Sequence, residues 1–550
     1  MNKPILEAFG KWMEDFLSGR IRKFFPLLFL LMGLLLTYYP SILTRFDRMV
    51  GDSGDTRLNL YFLEHSYRFL RGETLHKSLW DSPMFYPEKL VALRSDLLIG
   101  SGGAYYLGRL AGLDEYKAFY LWTLVILSLN YLLVYILLRK GLYFEIFPSA
   151  AGAYLFSFCA LRLTRLVVIQ MSLQFYCILA LFLLLLFRKS VLAEEKISFW
   201  KKILLPGGAA LAMILQFYSA YYPGWLFGFV FTLFLCAALF FRECREELWK
   251  ILSGNWLTLL LIALGMILAL LPFIYYSMQI PERMPKETVF MALPTWATHF
   301  NCGSLLYSNY MDLSMPAAQD HMMGLGYMTS IAVIMGAILL WKSPNKWGRA
   351  GVIAVLAAIL FTLQWKGFTL WHPFYHFFPG AFAIRLLSRI TFALLFFYGI
   401  FFAFLLMRAR FFWKYFIFAV LVAENFCIPY VRWSCREEKS RLAPLVKALE
   451  GEGKSKIPFV IVKEDRRGEF APLADLDAIW VSLRLRRPTC NGATGVTPSA
   501  YKRMGYKETG SLLPKLGLPQ IEVLTLAPDN RVLDRKILKY PESPPAPPSR

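Results

Sequence analysis

The sequence predicts an α-helical polytopic membrane protein of about eleven transmembrane helices, with a small extramembrane α/β domain at its C-terminus. Three observations lead there. Of the 550 residues, 57% are hydrophobic and only 18% charged, whereas soluble domains carry nearer a quarter charged residues and cannot leave so much apolar surface in water. Eleven segments are apolar over lengths approaching the ~20 residues that cross about 30 Å of hydrocarbon. Beyond residue 430 the pattern changes to short strand-like runs.

The chain opens with an amphipathic stretch, residues 1–23, in which Ile5, Leu6, Phe9, Trp12, Met13, Phe16 and Leu17 recur at helical spacing opposite Glu7, Lys11, Glu14 and Asp15. It reads as a cytoplasmic helix lying on a leaflet. The expected spans are 24–44, 118–138, 146–161, 166–187, 203–222, 223–241, 255–277, 324–341, 350–364, 391–407 and 412–430; the third and ninth are short enough to be re-entrant. The first is too long for a cleavable signal and reads as an anchor. With the N-terminus cytoplasmic, the inside segments hold 21 Lys/Arg against 9 Asp/Glu, while the first outer loop, 45–117, holds ten of each. That bias assigns the long loops and the C-terminal part to the external or periplasmic side. Much of the formal net charge of +22 is thus an orientation signal, and nucleic acid is not an expected partner. Eight cysteines without a Cys-x-x-Cys pair indicate neither a disulfide framework nor a zinc module.

The polar residues that could carry chemistry crowd the outer side. All six histidines fall in outer loops or at span mouths. The first outer loop opens with Gly51-Asp52-Ser53-Gly54-Asp55-Thr56-Arg57 and continues into a helical pattern from Leu58 to Leu70. Ser53 or Asp55 can cap that helix, whose N-terminal dipole favours an ionised carboxylate. Such a carboxylate, flanked by glycines, suits a general base; a plain helix cap is the alternative. Glu64 and His65, further along the helix, face either substrate or solvent. Trp80 to Pro87 reads as a rigid interfacial turn, followed by Asp96 as a further acidic candidate. In loop 365–390, Lys366, His372 and His376 precede Arg385 and Arg389, which share a face if helical and would suit a lipid-tethered phosphate, or simply snorkel to headgroups. Loop 278–323 adds Asp320 and His321.

Within the spans, Asn130, Gln170, Gln174, Gln216 and Glu424 are polar, with Arg162 and Arg165 between two short spans. The amides read as glue between helices, with Gln170 and Gln174 also able to line a cavity. Gly451-Glu452-Gly453-Lys454-Ser455 ends like a phosphate loop, but Ala448 stands where a glycine is needed. In the C-terminal part, 431–540, a helix over 438–449 and strands at Ile457–Val462, Ile479–Leu485 and Ile521–Leu526 are expected, with a tight turn at Asn491-Gly492 and a Pro-rich disordered tail over 541–550.

One span, a large loop beginning Gly-Asp-x-Gly-Asp, then many spans over 24–430 and an external C-terminal domain together resemble the type C (GT-C) membrane glycosyltransferases, in an uncharacterised bacterial branch. The stretches that carry the resemblance are Gly51–Thr56, Phe85-Tyr86-Pro87, Ser95-Asp96, Gln216 to Tyr222, Phe378-Pro379-Gly380 through Arg389, and Cys490 to Gly495 with Pro498. The resemblance implies inverting transfer of a sugar from a polyprenyl-phosphate carrier, in the plasma membrane and on its external face, to a glycan, lipid or protein acceptor. It places the base at Asp55 or Asp52, with Asp52 as partner or metal ligand for Mg²⁺ or Mn²⁺, and the phosphate cations at Arg385 and Arg389. Glu64, His65, Asp96, His321, Lys366 and His372 complete the expected substrate-binding set. The chain departs from the family at Ile169-Gln170, where His-x-Gln is expected, and at Asp320-His321, where a glutamate often stands. One base and a cationic anchor suffice for displacement of a phosphate; a glycosidase needs two carboxyls flanking the bond. The rival readings are a flippase or transporter of lipid-linked sugars, and a non-catalytic scaffold with an external binding domain.

Overall fold

The computed structural model describes residues 20–193, 198–302, 321–426, 431–450, 457–463, 472–502, 513, 516–527 and 530–539. Residues 1–19 of the amphipathic N-terminal stretch, residues 303–320 of loop 278–323 with Asp320, the phosphate-loop-like run and the Pro-rich tail lie outside these residues.

Every expected span corresponds to a helix: α1 (Phe25–Leu43), then, after the first loop's α2 (Asp55–Leu70) and α3 (Gly103–Leu110), α4 (Glu115–Ile136), α5 (Ile146–Phe158), α6 (Phe175–Leu192), α7 (Phe199–Ser219) and α8 (Tyr221–Ala238). A surface helix, α9 (Arg242–Ser253), leads to α10 (Trp256–Met278), α11 (Tyr327–Lys342) and α12 (Lys346–Thr362); after the short α13 (Trp371–Phe377) come α14 (Ile390–Arg408) and α15 (Phe411–Phe426). Among the described residues, eight helical stretches are long and apolar enough to cross a membrane. The helices α11, α12 and α15, at 16, 17 and 16 residues, are shorter.

Small residues set the centre of the bundle. A Cβ on Gly152 of α5 would come within 2.6 Å of the Gly399 carbonyl of α14, so the two backbones meet as helices do where glycine permits. Nearly all of α5 is consequently buried, and it is a continuous helix at the core.

The fourth expected span is not one helix. Residues Leu166–Ser172 form a 3₁₀ stretch with Val168 at φ −107° and ψ 55°, and α6 begins only at Phe175. Backbone groups released by the break need partners in an apolar setting. Asn130 Nδ2 donates to the Ser172 carbonyl (2.6 Å) and Gln216 Nε2 to that of Leu173 (2.8 Å). Glu424 likewise accepts from the backbone amides of Met328 (2.9 Å) and Thr329 (3.0 Å), so it caps α11.

The C-terminal part packs against the first loop. Strand β1 (Arg48–Val50) pairs antiparallel with β4 (Arg432–Ser434), Met49 opposite Trp433. Beyond it lie α16 (Cys435–Leu449), α17 (Pro472–Leu485) and a sheet of β5 (Phe459–Lys463), parallel to β6 (Gln520–Leu526), which is antiparallel to β7 (Val532–Lys539). The run Ile479–Leu485, expected as a strand, is the end of α17. Short apolar runs do not separate buried strand from buried helix; here Ala474, Leu476 and Ala478 extend the run upstream, and Ile479, Trp480 and Val481 are all buried. Nor is Asn491-Gly492 a tight turn. The Phe85 amide donates to the Asn491 carbonyl (2.9 Å) and the Tyr86 amide to that of Thr489 (3.0 Å), an extended docking in which a Cβ on Gly492 would strike the Phe85 ring at 2.4 Å.

Candidate functional site

The site is built around the head of α2 on the face that carries the C-terminal domain, called here the site face. Gly51 adopts φ +92°, and a Cβ there would sit 2.1 Å from Thr56 Oγ1, so only glycine lets the chain turn into the helix. The N-cap is Gly54, with no side-chain bond, rather than Ser53 or Asp55. Half-buried Asp52 supplies the bond instead, accepting the Thr56 amide at 3.2 Å. Asp55, the first residue of the helix, is exposed.

The next turn fixes this head in place. Arg57 is fully buried, its Nε 2.9 Å from Glu438 and its Nη2 2.8 Å from Asp477, which Arg441 also holds at 2.7 Å. Asn59, one turn on from Asp55 and on the same helix face, donates to Gln170 Oε1 at 2.7 Å. The 3₁₀ stretch 166–172 therefore lies against the helix that bears Asp55.

That stretch also touches α8, and beside it is a group of cations. The guanidinium groups of Arg162 and Arg165 lie 5.5 and 5.6 Å from the Phe392 ring, at the head of α14. Arg162 is fully buried; it donates to the Phe156 carbonyl (2.7 Å) and to Gln174 Oε1 (2.7 Å), and no carboxylate among the described residues pairs with it. Gln174 in turn donates to the Phe392 carbonyl at 2.8 Å. Arg165 Nη2 donates to the Met322 carbonyl at 2.9 Å, placing the buried His321 beside this group.

Arg389 occupies the same helix head, its guanidinium 5.4 Å from the Tyr222 ring at the start of α8. Arg385 reaches the same tyrosine differently, its backbone amide donating to Tyr222 Oη at 2.6 Å. The two arginines do not share a helical face as expected: Ile384 and Leu386 flank Arg385 in extended conformation, and Arg389 ends a single 3₁₀ turn. Tyr222 brings them together instead. Asp96 joins them, accepting the Tyr221 amide at 2.9 Å and so capping α8. Burial raises its carboxyl pKa to about 6, against the opposing pull of that bond and of Arg389.

Four expected site residues lie elsewhere. Glu64 and His65 face inward, not toward a substrate. Glu64 is buried between Arg68 (2.9 Å) and Arg109 (3.1 Å) and accepts from Tyr105 Oη at 2.6 Å; its cations and that bond hold its pKa below the usual value despite burial. The His65 Nδ1 lies 2.7 Å from His76 Nδ1, and burial lowers the pKa of His65 to about 4. Helical periodicity marks a polar residue but not whether an internal partner claims it. Lys366 stands exposed at the tip of the hairpin Gln364–Thr369, and His372 exposed on α13, 4.7 Å from the Phe290 ring. Neither makes a contact with Tyr222 or the arginines that the structure records among the described residues. Conversely, Arg162, Arg165 and Tyr222 lie beside these groups but were not among the expected site residues. The arginines' placement between apolar spans was the available signal, because a cation retained there has a partner or a task.

No group of three or more His, Cys, Asp or Glu residues among those described could hold a metal. Asp52 spends one oxygen on the Thr56 amide; Asp52 and Asp55 are the residues that would hold Mg²⁺ or Mn²⁺. Chemically, an exposed carboxylate, Asp55, sits on the helix that contacts the 3₁₀ stretch through Asn59, and buried Arg162, Arg165 and Arg389 gather around the head of α14.

No family model and no curated protein matches this sequence. Among solved structures, the chain is similar to the archaeal oligosaccharyltransferase AglB from Archaeoglobus fulgidus in complex with an inhibitory peptide and a dolichol-phosphate, with a TM-score of 0.54 at 10% identity over 92% of this chain and 70% of that one. The oligosaccharyltransferase of the same organism in complex with Zn and sulfate gives 0.53 at 11% identity, over 91% and 68%. Its apo form gives 0.51 at 10%, over 92% and 70%. The architecture, a helical bundle with a C-terminal sheet domain, thus shares the fold of these oligosaccharyltransferase structures.

Proposed function

We propose that this protein, a multi-pass membrane protein of the GT-C fold, is a glycosyltransferase that moves a sugar from a polyprenyl-phosphate donor to a hydroxyl or amide acceptor, with inversion, on the external or periplasmic face of the plasma membrane. The observation that supports this reading is that the helix bearing exposed Asp55 contacts the 3₁₀ stretch 166–172 through Asn59 and Gln170, while Arg162 and Arg165, just before that stretch, lie against Phe392 at the head of α14, where Arg389 also sits. The Lys/Arg bias of the opposite loops supports the orientation.

Asp55 takes the acceptor proton as the acceptor oxygen or nitrogen attacks the anomeric carbon; the bond from that carbon to the phosphate oxygen breaks on the far side. The departing lipid phosphate gains negative charge and is held by Arg389 and Arg385, which stabilise it without protonation. Tyr222 and Asp96 position Arg389: the ring backs its guanidinium and the carboxylate attracts it. Asp52 holds the turn on which Asp55 is presented.

The test is Asp55→Asn in purified, reconstituted protein supplied with polyprenyl-phosphate sugars. The expected result is a loss of transfer of at least ~10²-fold with unchanged membrane insertion. Full transfer by Asp55→Asn would refute the assignment.

A further inference from the structure

On the flank of the bundle away from α14, α1 and α4 diverge along their lipid-facing seam and enclose an apolar groove of about 370 Å³. It is lined by Leu31, Leu34, Leu35 and Ile42 of α1 and by Leu121 and Leu124 of α4. The opening has a packing cause. Gly33 turns the other face of α1 onto α5, where a Cβ would meet the Phe158 ring at 2.2 Å. Toward α4 the helix is pinned only at its site-face end, by Tyr38 Oη donating to Thr123 (2.7 Å) and by the Tyr120 hydroxyl donating to the Arg48 carbonyl. Below these pins the leucines meet no partner among the described residues that closes the seam: Leu31 is 48% and Leu35 57% exposed.

The groove has the length of one leaflet. From Leu31 to Ile42 is eleven residue steps, or roughly 16 Å at 1.5 Å each, about half of the ~30 Å hydrocarbon thickness. It ends at the site face, where Arg45 and Arg48 are exposed; neither has an ion-pair partner among the described residues. Apolar walls one leaflet deep beneath two unpaired cations match an acyl chain beneath an anionic headgroup.

We propose that this groove is a specific site for an anionic phospholipid of the site-face leaflet, one acyl chain lying between α1 and α4 and the phosphate on Arg45 and Arg48. The site stands apart from the Tyr222 arginines and does not depend on the transferase reading.

The experiment is native mass spectrometry of the full chain in detergent, titrated with phosphatidylglycerol or chain-matched phosphatidylcholine. The wild type should take up its first phosphatidylglycerol at least ~10-fold more tightly than phosphatidylcholine. Since a surface cation contributes about fivefold toward an anionic lipid, Arg45→Ala/Arg48→Ala should weaken phosphatidylglycerol about 25-fold and abolish the preference. Leu35→Trp, which fills the groove from a lipid-facing position, should weaken both lipids. Equal affinity of the wild type for both lipids, a preference that survives the double arginine variant, or unchanged uptake by Leu35→Trp would each overturn the proposal. One-for-one displacement of phosphatidylglycerol by added polyprenyl phosphate would also overturn it, by giving the groove to the donor.

Discussion

Removing the Arg57 guanidinium should loosen the whole head of α2, the helix that bears Asp55, and the size of the effect follows from its surroundings. Arg57 is fully buried and makes charge-assisted bonds of 2.9 Å to Glu438 and 2.8 Å to Asp477, on two helices of the C-terminal part. Arg57→Met keeps most of the volume but leaves Glu438 buried without that cation; burial already raises the pKa of this carboxyl with Arg57 in place. Asp477 retains Arg441 at 2.7 Å. Orphaning one member of a buried ion pair costs about 3–5 kcal/mol, and with one acid still paired the lower end applies, about 3 kcal/mol. If α2 then opens locally from α16 and α17, its amides should exchange with solvent about 10²-fold faster, since 1.4 kcal/mol is a factor of ten. Hydrogen–deuterium exchange of the reconstituted protein over 55–70 and 472–485 reads this directly. Arg57→Met/Glu438→Leu, which removes the stranded acid, should recover at least half of the loss. A change below threefold, or no recovery in the double variant, would show that the ion pairs do not hold the helix.

Other outcomes follow from the same geometry. Arg389→Gln should lower turnover about 10²–10³-fold, the range for removal of one donor from developing charge; steady-state kinetics with a purified lipid-linked donor checks this, and a change confined to KM would assign Arg389 to ground-state binding alone. Asp96 has a folded pKa of about 6, above the usual carboxylate value, so its native form holds the proton more tightly. Its contribution to stability is therefore present at low pH and lost as pH rises from about 4 through about 6, at most about 3 kcal/mol. In Asp96→Asn, thermal unfolding should lose that part of the pH dependence, and a slope unchanged over pH 4–6 would refute the assignment.

The spans were legible because lipid is a demanding solvent: an apolar run near 20 residues has few other uses, and each expected segment is a helix within a few residues of its expected ends. The exception, 166–174, fails for the same reason that makes it useful. Its broken backbone is satisfied by Asn130 and Gln216 from distant helices, which no local pattern in the stretch announces. The C-terminal strands at 459–463 and 520–526 were also readable, while 479–485 was not, because a residue buried on all sides has no period to show.

For the site, the sequence by itself determined the chemistry available: a glycine-flanked acid at the start of a helix, and arginines stranded among apolar spans. Which of those groups face a shared space was decided only by tertiary structure. Glu64 and His65 lie on the same helix as Asp55, yet Arg68, Arg109 and His76 claim them, while Arg385 and Arg389, four residues apart on no common helix, meet through Tyr222. The physical reason is that helical period records which side of an element is polar, whereas the role of a polar group depends on whether a partner from elsewhere in the chain satisfies it.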